Sequence, residues 1–169
     1  MSSPRLFVAL WPSADACSDL SLLHRKDEPG VRFVPEENWH VTLRFLGEAH
    51  PREVAEALDD VDFRAADITL GPIVEYLGDH SLIVHASGAE ALNEVVERAT
   101  SHLGDAPLRK RFVGHITIAR LGRRRSVRQP AVVGTPFHST FTVAEVALVQ
   151  SHLAPEGARY ETLAAWPTR

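Results

Sequence analysis

Branched and aromatic residues crowd segment 5–10, RLFVAL, which reads as a strand ended by Trp-Pro-Ser. Helical spacing follows. Ser13 is placed to cap a helix running to about Lys26, with Ala16, Leu20 and Leu23 on one face. Lys-Asp-Glu-Pro-Gly stops it, and a short VRFV at 31–34 leads into a strand at 39–46, WHVTLRFL. Pro51 suits the first turn of a helix over 51–61. Segments 67–77 and 81–87 read as strands joined by Gly-Asp-His. The clearest helix spans 89–104, with Leu92, Val95, Val96 and Ala99 as its stripe and Gly104 as its stop. HITIARL at 115–121 is a further strand, STFTVAEVALVQS at 139–151 a long alternating one, and ARYETLAAW at 158–166 the last.

Helices and strands are mixed, and several strands are joined by turns too short for parallel crossovers. The pattern predicts an α+β fold with mainly antiparallel sheets. No low-complexity linker divides the 169 residues, so one domain spanning 1–169 is expected.

Two strands repeat each other. HVTLRFLG (40–47) laid over HITIARLG (115–122) matches at His, Thr, Leu and Gly, and an RFV stands shortly before each. The histidines are 75 positions apart, and each copy lies on a strand after a helix. Two lobes related by a pseudo-twofold axis explain the repeat.

On a strand, residues i and i+2 share a face. His40 and Thr42 therefore point one way, as do His115 and Thr117, while Val41, Leu43, Ile116 and Ile118 turn toward a core. If the lobes meet across a cleft, two imidazoles and two hydroxyls converge on one small anion. Imidazoles suit general acid–base work near neutral pH, one neutral and the other protonated. The hydroxyls suit donation to phosphate oxygens as charge develops there. This set suffices to open a phosphodiester without metal. A metal site is poorly supported: there is no His-x-x-x-His pair or Cys cluster, and carboxylates near either motif are few. A Ser or Cys nucleophile is equally so, for there is no G-x-S-x-G and Cys17 falls in an amphipathic helix.

Charge sharpens the picture. The chain carries −4 overall, yet between Ala106 and Ala144 there are eight Arg and Lys and no Asp or Glu. This basic window surrounds the second His-x-Thr and reads as a footprint for a polyanion. The single cysteine excludes an intramolecular disulfide and fits a reducing cytosol. LFVALW at 6–11 is too short for a signal-peptide core, and no stretch approaches a membrane span. A cytoplasmic monomer with no membrane partner is the expectation.

The two motifs, HVTLRFLGE and HITIAR, resemble those of the two-histidine (2H) phosphoesterase superfamily. The flanks RLFVALWPS, RFVPEENWHVTLRFLGE, KRFVGHITIAR and FTVAEVALVQSHLAPEGARYETLAAWP resemble, in order and spacing, the RNA 2′,3′-cyclic phosphodiesterase (2′-5′ RNA ligase-like) branch. The resemblance implies a bilobal, pseudo-twofold fold around a central cleft with helices outside. It implies metal-independent hydrolysis of an RNA-terminal 2′,3′-cyclic phosphate to a 2′-phosphomonoester, with no cofactor. Reversible, ATP-independent 2′-5′ joining is implied as well. RNA ends or cyclic nucleotides would be the partners. By position, His40 and His115 become the catalytic pair and Thr42 and Thr117 the phosphate-holding pair. The first histidine would protonate the leaving 3′ oxygen and the second would activate water.

Arg120 matches an arginine expected near the phosphate, and Phe45 an aromatic at the cleft. Both stand five residues after their histidine, so strict alternation sends them to the opposite face unless the strand bulges or ends. Phe45 reads slightly better as core. Arg5 and Phe7 lie on a strand expected to border the cleft, where Arg5 reads equally as a surface cation. Ser151 and Tyr160 read as structural, and most remaining histidines as surface or strand-end residues. Valine and glycine at 113–114 stand where the family commonly has prolines. Two other functions fit the same residues: a phosphodiesterase for small cyclic nucleotides or ADP-ribose cyclic phosphate, and a non-catalytic RNA-end binder.

Overall fold

The structure, a computed structural model, describes residues 2–108, 111–123 and 129–169. Five cations of the basic window, Arg109, Lys110, Arg124, Arg125 and Arg128, lie outside the described residues. The chain runs β1 (Arg5–Leu10), α1 (Ala14–Ser21), β2 (Val31–Phe33), β3 (Val41–Glu48), α2 (Pro51–Asp59), β4 (Asp67–Leu77) and β5 (Ser81–Ser87). It continues α3 (Glu90–Thr100), β6 (His115–Leu121), β7 (Ser139–Thr142), β8 (Glu145–Ala154) and β9 (Gly157–Pro167).

Among the described residues the strands form one continuous sheet, ordered β7-β4-β5-β6-β3-β1-β8-β9, with β2 against β6. All its pairings are antiparallel. The α+β expectation holds, but the separate sheets merge through one residue pair, Val41 opposite Ile116. The order is symmetric about that junction. β5 and β4 extend one half, β1 and β8 the other. The halves interlock, because β4 leaves the first motif's side to join the second, and β8 and β9 return to the first.

The sheet has one covered and one working face. Ala16 and Leu20 of α1, Val54 and Leu58 of α2, and Leu92 and Val96 of α3 all join the main core. Val41, Leu46, Ile116 and Ile118 meet them there, fully buried. A small second cluster, Phe7, Ala9, Ala147 and Val149, lies apart from it with Trp11 and Tyr160 packed alongside. Ser13 caps α1 as expected, its Oγ accepting from the Ala16 N–H at 3.1 Å, a bond worth about 1 kcal/mol.

Two expected boundaries move. α1 ends at Ser21 rather than near Lys26, because Leu22 is 82% exposed and nothing apolar after Leu23 continues the stripe. The long strand at 139–151 is two strands. β7 pairs with β4, while β8 pairs with β1 and β9 at the other end of the sheet. The chain changes partners at Val143–Ala144, where the alternation slips by one residue: Val143 and Val146 are buried, and Ala144 and Glu145 between them are both exposed.

Candidate active site

β3 and β6 lie side by side where the halves meet. Carried one residue either way from Val41–Ile116, the register sets His40 across from Thr117 and Thr42 across from His115. Each histidine thus faces the other motif's threonine. Both rings are held the same way. The Nδ1–H of His40 donates to the Asn38 carbonyl at 2.7 Å, and that of His115 to the Val113 carbonyl at 2.7 Å. Fixing Nδ1 as donor turns the Nε2 lone pair toward the working face. On His40 that nitrogen lies 3.0 Å from Thr42 Oγ1 and accepts its hydroxyl.

The Val-Gly before His115 fits this loop. The Gly114 carbonyl accepts from the Ala86 N–H at 2.8 Å, and a Cβ at Gly114 would collide with the Ala86 carbonyl oxygen. Any larger residue would push the loop off β5.

Matching bulges interrupt both motif strands. Against β1, Thr42 pairs with Ala9 and Arg44 with Val8, so Leu43 has no partner there. Against β5, Thr117 pairs with Ile83 and Ala119 with Leu82, so Ile118 has none. Leu43 and Ile118 are 75 positions apart, the spacing of the histidines, so the repeat extends to this irregularity. Each spare carbonyl is satisfied. Asn93 Nδ2 donates to Leu43 O at 2.8 Å, and the Val34 N–H donates to Ile118 O at 2.9 Å. The extra residue reverses the alternation, which brings Phe45 back to the face of His40 and Thr42, and Arg120 to that of His115 and Thr117. Phe45 is 44% exposed, so its reading as core is corrected.

A cavity of about 260 Å³ opens beside His40, walled by Arg32, Asn38, Thr117, Arg120 and Tyr160 among others. Three of the expected residues, His40, Thr117 and Arg120, meet in it. Thr42 and Phe45 line a neighbouring depression with Leu108 and Phe112. Phe7 is buried with its ring 4.9 Å from that of His40. Arg5 stands exposed at the start of β1, opposite Glu48 and Ser151.

Several contributors carry no local signal in the sequence. Tyr160 meets the His40 ring edge-on at 5.2 Å, and Trp11 does so at 5.8 Å. With Phe7 they box the imidazole on three sides. Burial of Tyr160 raises its pKa, partly offset by Arg120, so the hydroxyl stays a donor at neutral pH. His85 stands directly opposite His115 on β5 and is paired with Glu75. His152 pairs with Glu161 at 2.8 Å and lines a depression adjoining the cavity along Asn38 and Tyr160. Cys17 packs at the edge of the core, and its burial raises the thiol's pKa.

Burial is the main reason that the His40 pKa falls from 6.5 to about 4. The bond to Asn38 opposes the fall, while Arg120 and His115 add to it. His40 is therefore neutral at pH 7 in the ligand-free site. Between about pH 6.5 and 4 only the unfolded chain binds this proton, so acid favours unfolding. The contribution, about 3 kcal/mol, is whole above pH 6.5 and lost as pH falls to about 4. Urea denaturation at both ends of that window should show a smaller acid loss in His40→Asn than in wild type. Parallel losses would contradict this account of His40.

Among the described residues no three His, Cys, Asp or Glu side chains group to hold a metal ion, and no helix is long and apolar enough to cross a membrane. A family model described as LigT-like phosphoesterase matches residues 13–74. An RNA 2′,3′-cyclic phosphodiesterase of Geobacillus stearothermophilus is 33% identical over 168 residues, covering 92% of this chain; the chain spans 51% of that protein, about half its length. A protein of the same name from Aeropyrum pernix is 30% identical over 149 residues, covering 79% of this chain and 84% of its own. Among solved structures, Escherichia coli LigT complexed with 3′-AMP matches at 22% identity with a TM-score of 0.78 over 98% of each chain. A Thermus thermophilus protein matches at 27% identity with a TM-score of 0.74, again over 98% of each chain.

Proposed function

The chain belongs to the LigT-like phosphoesterase family, and on that footing we propose that it hydrolyses the 2′,3′-cyclic phosphate at RNA ends to a 2′-phosphomonoester. His40 and His115 are the acid–base pair. His115 takes a proton from the attacking water, the bond from phosphorus to O3′ breaks, and His40 delivers a proton to O3′. Thr42 and Thr117 donate to the non-bridging oxygens, and Arg120 offsets the charge that gathers there. With the 5′-hydroxyl of a second RNA in place of the water, the same two proton transfers form a 2′-5′ phosphodiester as the bond to O3′ breaks, and the reverse of that step reopens it to the cyclic phosphate.

The observation that carries the reading is the crossed pairing of the motifs. Each histidine faces the other strand's threonine, and both rings are oriented by matching Nδ1–H bonds to backbone carbonyls. A binding protein has no need of two imidazoles with their Nε2 atoms turned to one face. No step calls on a metal. An RNA carrying a terminal 2′,3′-cyclic phosphate should be turned over equally well with and without a chelator. Activity abolished by the chelator and restored by a divalent cation would overturn the mechanism.

His40 as acid needs a proton that it lacks in the open site, where its pKa stands at about 4. A phosphate beside Arg120 supplies the compensating negative charge. Binding of a nucleotide phosphate at pH 7 should therefore take up a proton, visible in calorimetry as a dependence of the heat on the buffer's ionisation enthalpy. Binding without uptake would give the acid's role to His115 instead.

A further inference from the structure

Arg32 is the arginine of the first RFV, a motif that the two-histidine chemistry leaves unused. It lies on β2 directly opposite Arg120 on β6. Like charges directly opposed on neighbouring strands disfavour the pairing, and these two residues sustain it. Both are exposed and both line the His40 cavity. They also line an adjoining depression with Gly30 and Gly122. Among the described residues neither forms an ion pair with a carboxylate.

Both residues are positioned. Arg120 donates to Ser81 Oγ at 3.1 Å. The Arg32 guanidinium lies against the β8–β9 turn, where a Cβ on Gly157 would sit 2.6 Å from Nη2. Glycine at 157 leaves the arginine its place. The Val34 N–H, two residues on, fills the bulge carbonyl of Ile118, which ties the RFV segment to the strand that carries Arg120.

The charge count goes beyond the reaction. A 2′,3′-cyclic phosphate carries one negative charge, and Arg120 beside Thr117 answers it. Arg32 adds a second cation to the same wall, against one carboxylate there among the described residues, Glu156. We propose that Arg32 binds a second phosphate of the substrate, the internucleotide phosphodiester on the 5′ side of the cyclic end. This rests on the RNA-end reading above and makes an oligonucleotide, rather than a mononucleotide, the preferred substrate.

Two substrates separate the readings: a nucleoside 2′,3′-cyclic monophosphate, with one phosphate, and a dinucleotide ending in the same cyclic phosphate, with two. In wild type the KM for the dinucleotide should be the lower. Arg32→Ala should raise the dinucleotide KM about tenfold more than it raises the mononucleotide KM, and Arg32→Lys should recover part of the difference. The salt dependence of dinucleotide binding should also weaken, by about 0.7 in logarithmic slope for one lost contact to a single strand. Equal effects on both substrates, or no effect on either, would overturn the proposal. If wild type turns over neither substrate, the RNA-end reading fails. Arg32 is then read by titrating a dinucleotide bearing a 3′-phosphate against a nucleoside 3′-monophosphate. A selective loss of dinucleotide affinity in Arg32→Ala supports the second-phosphate site, and unchanged affinity removes it.

Discussion

Turnover of an RNA 2′,3′-cyclic phosphate end is expected to fall at least about 10²-fold in His40→Ala, and as far in His115→Ala. The expectation follows from the geometry of proton transfer. Neither Thr42 nor Thr117 can replace an imidazole, because an aliphatic hydroxyl has no ionisation near neutral pH and serves as neither general base nor general acid there. The Tyr160 hydroxyl, its pKa raised by burial, is no substitute. The two losses should not add. Residues that act as one unit cost about as much singly as together, so the double variant should lie near the worse single one. Misfolding is easily told apart. His40 is a neutral imidazole boxed by Phe7, Trp11 and Tyr160, so its removal should leave a folded protein with less sensitivity to acid. Activity within a few-fold of wild type in either single variant would remove that histidine from the chemistry.

Arg44→Ala is expected to destabilise the fold by about 3 kcal/mol or more, since three hydrogen bonds from one buried guanidinium are lost at once. Arg44 is 5% exposed, and its guanidinium donates to the Thr100 carbonyl, to Thr100 Oγ1 at 2.5 Å and to the Leu103 carbonyl at 2.9 Å. These acceptors lie at and just beyond the C-terminal end of α3, where helix carbonyls lack their i+4 partners; the Thr100 carbonyl also accepts from the Leu103 N–H at 3.0 Å. Hydrogen bonds from a charged donor are worth about 1.5–3 kcal/mol each, and the lost guanidinium stem leaves a void as well. For a chain of this size the melting temperature should drop by roughly 6–12 °C. Arg44→Met, which keeps the stem but not the donors, should recover only part of the loss. The effect reaches the site because Arg44 follows the bulge at Leu43 and anchors β3 under α3. A loss below about 1 kcal/mol in thermal or urea denaturation would show that the anchor does not hold the helix end.

What could be read from the sequence depended on how local its cause was. β4, β5 and β6 fall on 67–77, 81–87 and 115–121 as their patterns predict, because each is bounded by turn residues that act locally. The His-x-Thr pairs were legible because alternation alone puts His and Thr on one face, and the repeat marked them out. Arg120 and Phe45 were not placed. A bulge is set by the partner strand and by which donor meets its spare carbonyl, here Asn93 for Leu43 and Val34 for Ile118. The break at Val143–Ala144 left a trace, the shift of apolar positions from 141 and 143 to 146 and 148, but alternation does not say which strand lies alongside. Tyr160, Trp11 and Arg32 come beside His40 from separate segments, and only the sheet order brings them together. The RFV before each motif was visible as a repeat, but its arginine gained meaning only when β2 was found opposite Arg120.

The central claim is that two histidines on crossed strands open a cyclic phosphate by breaking its bond to O3′. The most direct measurement is the position of the phosphate on the product. A short RNA ending in a 2′,3′-cyclic phosphate would be incubated with the protein, and its product resolved into 2′- and 3′-phosphomonoesters. The account predicts the 2′-phosphate as the product, absent with either alanine variant. A 3′-phosphate, or a mixture of the two, would contradict it.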